Sequence, residues 1–124
     1  MPYLSEGWVS LDRGGGTRRS TAIHAAANAL RQKEWDPGDI ITLAYRGNEM
    51  AGECGEACNV IKKLERERLG IRGSRSTKDS LAEELADVVI CADLCAMQAG
   101  VDLEQAVKDK FNKTSEKNGL KTRM

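Results

Sequence analysis

GECGEACNVIKKLERE, Gly52 to Glu67, is the stretch on which the fold turns. Its second half is an ordinary solvated helical surface, with charges in neighbouring turns such as Lys63 and Glu67. Its first half is not. At about 100° of rotation per residue, Glu49, Glu56, Val60 and Leu64 all fall within about 60° of Glu53. Two glutamates, each directly preceded by a glycine, therefore sit on or beside the side that is apolar lower down.

Working outward, the 124 residues fit one domain that buries about two-thirds of its unfolded surface. Nineteen basic and nineteen acidic residues cancel, so no net field draws the chain to a polymeric nucleic acid or an anionic membrane. Five aromatics and two prolines, against abundant Ala, Leu, Glu and Lys, favour helices over strands. No apolar run approaches the eighteen or so residues that cross a bilayer, and no leader pattern opens the chain. These features predict an all-α, soluble, cytoplasmic protein. Cys54, Cys58, Cys91 and Cys95 form two i, i+4 pairs inside helical patterns. Reduced thiols in or near a core fit that spacing. A four-thiolate zinc site remains open, although the tight C-x2-C turn such sites use is missing.

Residues 1–16, ending in Gly14, Gly15 and Gly16, show no period and are expected to form an irregular arm. The domain spans 17–119, and 120–124 form a tail. Helix one is expected from about Ser20 to Lys33, with Ile23, Ala26, Ala27 and Leu30 along one side, ending at "EWDPGD". Asp39 is a candidate cap for a second helix running to Leu69, with Gly70 as its stop and Gly47, Gly52 and Gly55 able to bend it. After the loop "GIRGSRSTK", a third helix covers about Lys78 to Gln98, with Ser80 and Glu83 in capping-box spacing. Asp102 and Gln105 offer a second capping pair for helix four, which ends near Asn118 and Gly119.

Helix three repeats the anomaly of helix two. Leu81, Leu85, Val88, Val89, Ala92 and Ala96 cover most of its circumference, and Glu84 and Asp87 interrupt them. A buried, unpaired carboxylate costs several kcal/mol, so such a group is protonated, ion-paired or bound to a cation. Glu-x-x-Glu alone is common on solvated helices. Together with Glu84-x-x-Asp87 on a second helix it makes an oxygen-rich cage suited to a hard divalent ion, Mg²⁺ first and Mn²⁺ second. Glycines at 52 and 55 would let another helix or a bulky ligand approach the backbone.

At these residues the chain resembles the MazG-type, all-α nucleoside triphosphate pyrophosphohydrolases. Their signature is Glu-x-x-Glu, a spacer, then Glu-x-x-Asp, and here "ECGE" and "ELAD" stand 27 residues apart, 57–83. "GECGEACN", "EELADVVICADL", "GVDLEQAVKDKFN" and the tryptophan of "EWDP" fall in family order, so the likeness covers about residues 20 to 118. It implies a four-helix bundle assembled as a dimer or tetramer. It also implies Mg²⁺-dependent cleavage of an NTP or dNTP between the α- and β-phosphates, giving a monophosphate and pyrophosphate. Glu53, Glu56, Glu84 and Asp87 would hold metal, and Glu53 or Glu56 would also orient the attacking water. Lys63, Lys110, Asn112 and Lys117 match phosphate-contacting places, Trp35 an aromatic that stacks on the base, and His24 and Asn28 residues able to line the pocket. One departure stands out: many relatives open the first motif with two glutamates, and Gly52 occupies the first of these places. Glu49, one turn earlier, is a candidate substitute.

Two other classes compete. A ferritin-like carboxylate protein wants paired Glu-x-x-His motifs, and His24 is the one histidine. A catalytically silent, MazG-like nucleotide-binding or regulatory module would keep the fold without turnover.

Overall fold

The structure, a computed structural model, describes residues 21–124, with side chains from Ala25 onward. The arm expected over 1–16 lies outside the described residues. Four helices follow in order: α1 Thr21–Trp35, α2 Leu43–Leu69, α3 Lys78–Ala99 and α4 Leu103–Lys117. No strand occurs among the described residues, and none of their helices is long and apolar enough to cross a membrane.

The chain divides into two compact units. One is Ile40–Cys95, carrying α2 and most of α3. The other joins residues 21–39 to Ala96–Met124, so that it holds α1, the last turn of α3 and α4. Within that second unit α1 packs on α4, with Ala25, Met97 and Ser115 buried. The inward side of α1 differs from the expected one. Ala25, Asn28 and Gln32 are buried, whereas Ala26, Ala27 and Leu30 face out. The three buried positions are spaced i, i+3 and i+7 and form one stripe, so two amides are drawn in with the one alanine.

Each helix start shows which polar residue captures the first orphan amides. Asp39 does not cap α2, because it takes φ 52 and donates its N–H to the Asp36 carbonyl, closing the turn after Pro37 and Gly38. Thr42, extended at φ −97 and ψ 164, caps instead, its Oγ1 accepting from Tyr45 N–H at 3.2 Å. At α3 the cap is Thr77 rather than Ser80. Ser80 already stands in the first turn, where its own N–H needs an acceptor and finds Thr77 Oγ1 at 3.1 Å. Asp102 caps α4 as expected, accepting from Gln105 N–H at 3.1 Å, while the Gln105 amide reaches forward to Asp109 rather than back. Gly70 and Gly100 end α2 and α3 with φ near 70, where a side chain would be strained.

α2 is unbroken over 27 residues despite Gly47, Gly52 and Gly55. A methyl group built on any of the three would meet nothing within 4 Å, so among the described residues no helix makes the close approach expected there. Glycine inside a helix with free space around it costs about 0.5–1 kcal/mol against alanine. Gly52→Ala should therefore raise the urea midpoint by an amount equivalent to about that energy. A lowered midpoint would mean that the position is covered in the native protein.

Candidate functional site

The acids are brought together within the Ile40–Cys95 unit. Glu53 from α2 and Glu84 and Asp87 from α3 each present one carboxylate oxygen, and the three oxygens lie within 4.8 Å of one another. No other such group of three or more His, Cys, Asp and Glu side chains forms among the described residues. That leaves the four cysteines, all free thiols, without the zinc arrangement. Glu56 joins the cluster from its edge, close enough to raise the carboxyls of both Glu53 and Glu84. The helical spacing is the cause: residues three and seven apart share a face, so 49, 53 and 56 line one side of α2 and 84, 87 and 91 one side of α3. Glu56 meets Glu84, and Glu49 meets Cys91. The pairs run in opposite directions along the two helices, which are antiparallel here.

Electrostatics set this cluster apart from a solvated acidic face. None of the four carboxylates pairs with a lysine or arginine among the described residues. Burial is the largest influence raising the Glu53 carboxyl above its usual 4.5; the Glu56 contact follows, then the charges of Glu56, Asp87 and Glu84. Glu84 is raised by burial first and then by Glu56, Asp87 and Glu83. Glu53 and Glu84 are half-buried, and Glu53 Oε2 is enclosed with no hydrogen-bond partner. A buried acceptor without a donor is costly. A hard cation would satisfy it, and an all-oxygen donor set suits one. The residues present fit a bound divalent ion.

A pH dependence follows. Glu53 and Glu84 hold protons more tightly folded than unfolded, so folding is favoured while they are protonated. That contribution is full below about 4.5 and is lost as pH rises through the raised values. In chelator, the melting temperature should fall as pH rises from 4.5 to 7, and the decline should flatten in Glu84→Gln. A rising trend that Glu84→Gln leaves unchanged would contradict the direction of these shifts.

The substrate-contact candidates are distributed unevenly. Lys63 lies on α2 in the same unit as the acids, half-buried and without an ion-pair partner among the described residues. Asn28, Trp35, Lys110, Asn112 and Lys117 belong to the other unit. Trp35, at the end of α1, is 76% exposed and is no core anchor. Asn28 is buried, with Nδ2 unpartnered. His24 lies on α1, its side chain outside the described residues. Lys110 lines a groove of about 760 Å³ along α4, with Leu103, Val107, Phe111 and Leu120. The Asn112 amide is engaged with the main chain of Met124, accepting from its N–H at 2.8 Å and donating to its carbonyl at 3.3 Å. Lys117 closes α4, exposed.

Two residues beside the acids, Arg46 and the core thiol of Cys91, were not among the expected site residues. Arg46 is buried, 2% exposed, and its Nη1 donates to Glu49 Oε1 at 3.1 Å. Cys91 Sγ approaches the same oxygen at 3.9 Å. Their positions were the available signal, since Arg46 stands seven residues before Glu53 and Cys91 four after Asp87, each on the acid-bearing face.

Against known proteins, residues 43–119 match the family model described as the MazG nucleotide pyrophosphohydrolase domain, a span that holds all four acids. No curated protein and no solved structure matches the chain.

Proposed function

Because the chain belongs to the MazG nucleotide pyrophosphohydrolase family, we propose that it hydrolyses a nucleoside or deoxynucleoside triphosphate between the α- and β-phosphates, releasing a monophosphate and pyrophosphate. The observation that carries this reading is the convergence of Glu53, Glu84 and Asp87, with Glu56 at their edge, inside the matched span.

Glu53, Glu56, Glu84 and Asp87 are the ligands for Mg²⁺, with Mn²⁺ as the alternative. When bound, the ion neutralises charge on the phosphate oxygens and lowers the pKa of a water. Glu53 or Glu56 orients the attacking water; burial and the neighbouring acids raise the Glu53 carboxyl, which suits it to accepting a proton nearer neutral pH. Lys63, Lys110, Asn112 and Lys117 supply donors for the remaining phosphate oxygens. Trp35 stacks on the base, which every nucleobase permits, and His24 and Asn28 line the base pocket.

We place these contacts in a homodimer or homotetramer. Supporting this are large apolar side chains left exposed on each unit, Leu85 at 48% and Val89 at 49% on α3 and, in the other unit, Leu30 at 66% on α1.

The test is product identity in ¹⁸O-labelled water. Monophosphate with pyrophosphate, carrying label at the attacked phosphorus, is the expected result. Diphosphate with orthophosphate would refute cleavage at the α–β linkage. A chain that binds a triphosphate without turning it over would be the silent binding module.

A further inference from the structure

Four carboxylates on two facing helices repel one another whenever no cation is bound, and that repulsion opens the gap the ion must bridge. Something must hold α2 and α3 at ligand distance. The next turn of the same two faces carries a different chemistry. Arg46 is among the largest fully buried side chains of the described residues. A buried guanidinium demands a close anion, and Glu49 answers it at 3.1 Å. The oxygen that accepts from Arg46 also faces the Cys91 thiol at 3.9 Å, so the counter-charge of an α2 cation is shared with α3. Burial, then Glu49, Glu53 and Asp87, push the Cys91 thiol up to about 11. It stays a neutral S–H donor.

Resting on the metal-centre reading above, we propose that Arg46, acting through Glu49 and Cys91, is the positioning residue that fixes the spacing of the acid-bearing faces of α2 and α3. Glu49 is then a partner of Arg46 and not the stand-in for the acid that Gly52 lacks. In keeping with that, Glu49 contributes no oxygen to the three-carboxylate group.

The test is Mn²⁺ binding, followed by electron paramagnetic resonance on the metal-free full chain without nucleotide, at a temperature where circular dichroism shows each variant folded. Residues that orient metal ligands are worth about 10–100-fold in affinity. Arg46→Met should weaken Mn²⁺ binding by at least about 10-fold, and Arg46→Lys, which keeps the charge, should recover most of it. A purely structural arginine would lower the melting temperature and leave the affinity of the folded protein unchanged. That outcome overturns the proposal while the hydrolase reading stands.

If Arg46→Met does not fold, Glu49→Gln and the pair Cys91→Ala and Cys91→Ser decide. Weakened binding in Glu49→Gln and Cys91→Ala, with recovery in Cys91→Ser, supports the link. Wild-type affinity in all three removes it. Absence of Mn²⁺ binding by the wild type would overturn both this proposal and the metal centre.

Discussion

Glu84→Gln is expected to lower triphosphate hydrolysis by about 10²–10³-fold, the scale on which removing one preorganised electrostatic group acts, while making the metal-free protein more stable at neutral pH. The two effects share one cause. Glu84 is half-buried beside Asp87 on α3 and opposite Glu56 of α2, and every neighbour that shifts its carboxyl raises it. Deprotonated and without a cation it destabilises the fold, and the neutral amide removes that charge from the cluster. With a cation bound the balance reverses, because the amide is a weaker ligand than a carboxylate for a hard ion. Steady-state rates and chelator-treated melts on the same preparation check it. A solvated surface glutamate would shift stability by no more than about 0.5 kcal/mol and leave turnover alone. Lower stability and unchanged kcat in Glu84→Gln would contradict this assignment.

Divalent cation should stabilise the wild type strongly and Glu84→Gln weakly. A ligand that binds only the folded state at 100 times its Kd adds about 2.7 kcal/mol. For a chain of this size that corresponds to roughly 10 °C in melting temperature. The sign of the pH dependence is set by competition. Protons occupy Glu53 and Glu84 to higher pH than an ordinary carboxylate, so the cation displaces more of them at low pH and binds more weakly there. Melts in Mn²⁺ and Mg²⁺ should show a larger rise at pH 8 than at pH 5.5. NaCl at matched ionic strength should give little of it, since general screening does not fill a site. Equal shifts with Na⁺ and Mn²⁺ would reduce the cluster to a charged surface.

Much of this was legible in the sequence, because helical spacing alone puts 53 with 56 and 84 with 87 on single faces, and apolar neighbours mark those faces as unusual for acids. The four helices, the stops at Gly70 and Gly100, and the Asp102 cap were legible for similar reasons, since each rests on one residue's local chemistry. The errors were of another kind. Thr42 and Thr77 displaced Asp39 and Ser80 as caps because the turn preceding each helix, not the composition, decides which hydroxyl reaches the first free amides. The inward stripe of α1 was misassigned because Asn28 and Gln32 are buried in place of Leu30, and a propensity scale places amides outside. Arg46 was overlooked because a charged residue in a charged stretch reads as solvated until packing shows it 2% exposed. Beside Gly52 and Gly55 the sequence marks where a neighbour fits, and among the described residues none comes within 4 Å of that space.

The most direct measurement is pyrophosphate release from a panel of ribo- and deoxyribonucleoside triphosphates, with Mg²⁺, with Mn²⁺ and with chelator, using wild type and Glu84→Gln side by side. Cation-dependent release of pyrophosphate by the wild type from at least some of the panel, abolished by chelator and nearly lost in the variant, is the predicted result. No release from any nucleotide by folded, cation-loaded wild type, or equal release by both proteins, would contradict the assignment of these acids to a pyrophosphohydrolase centre.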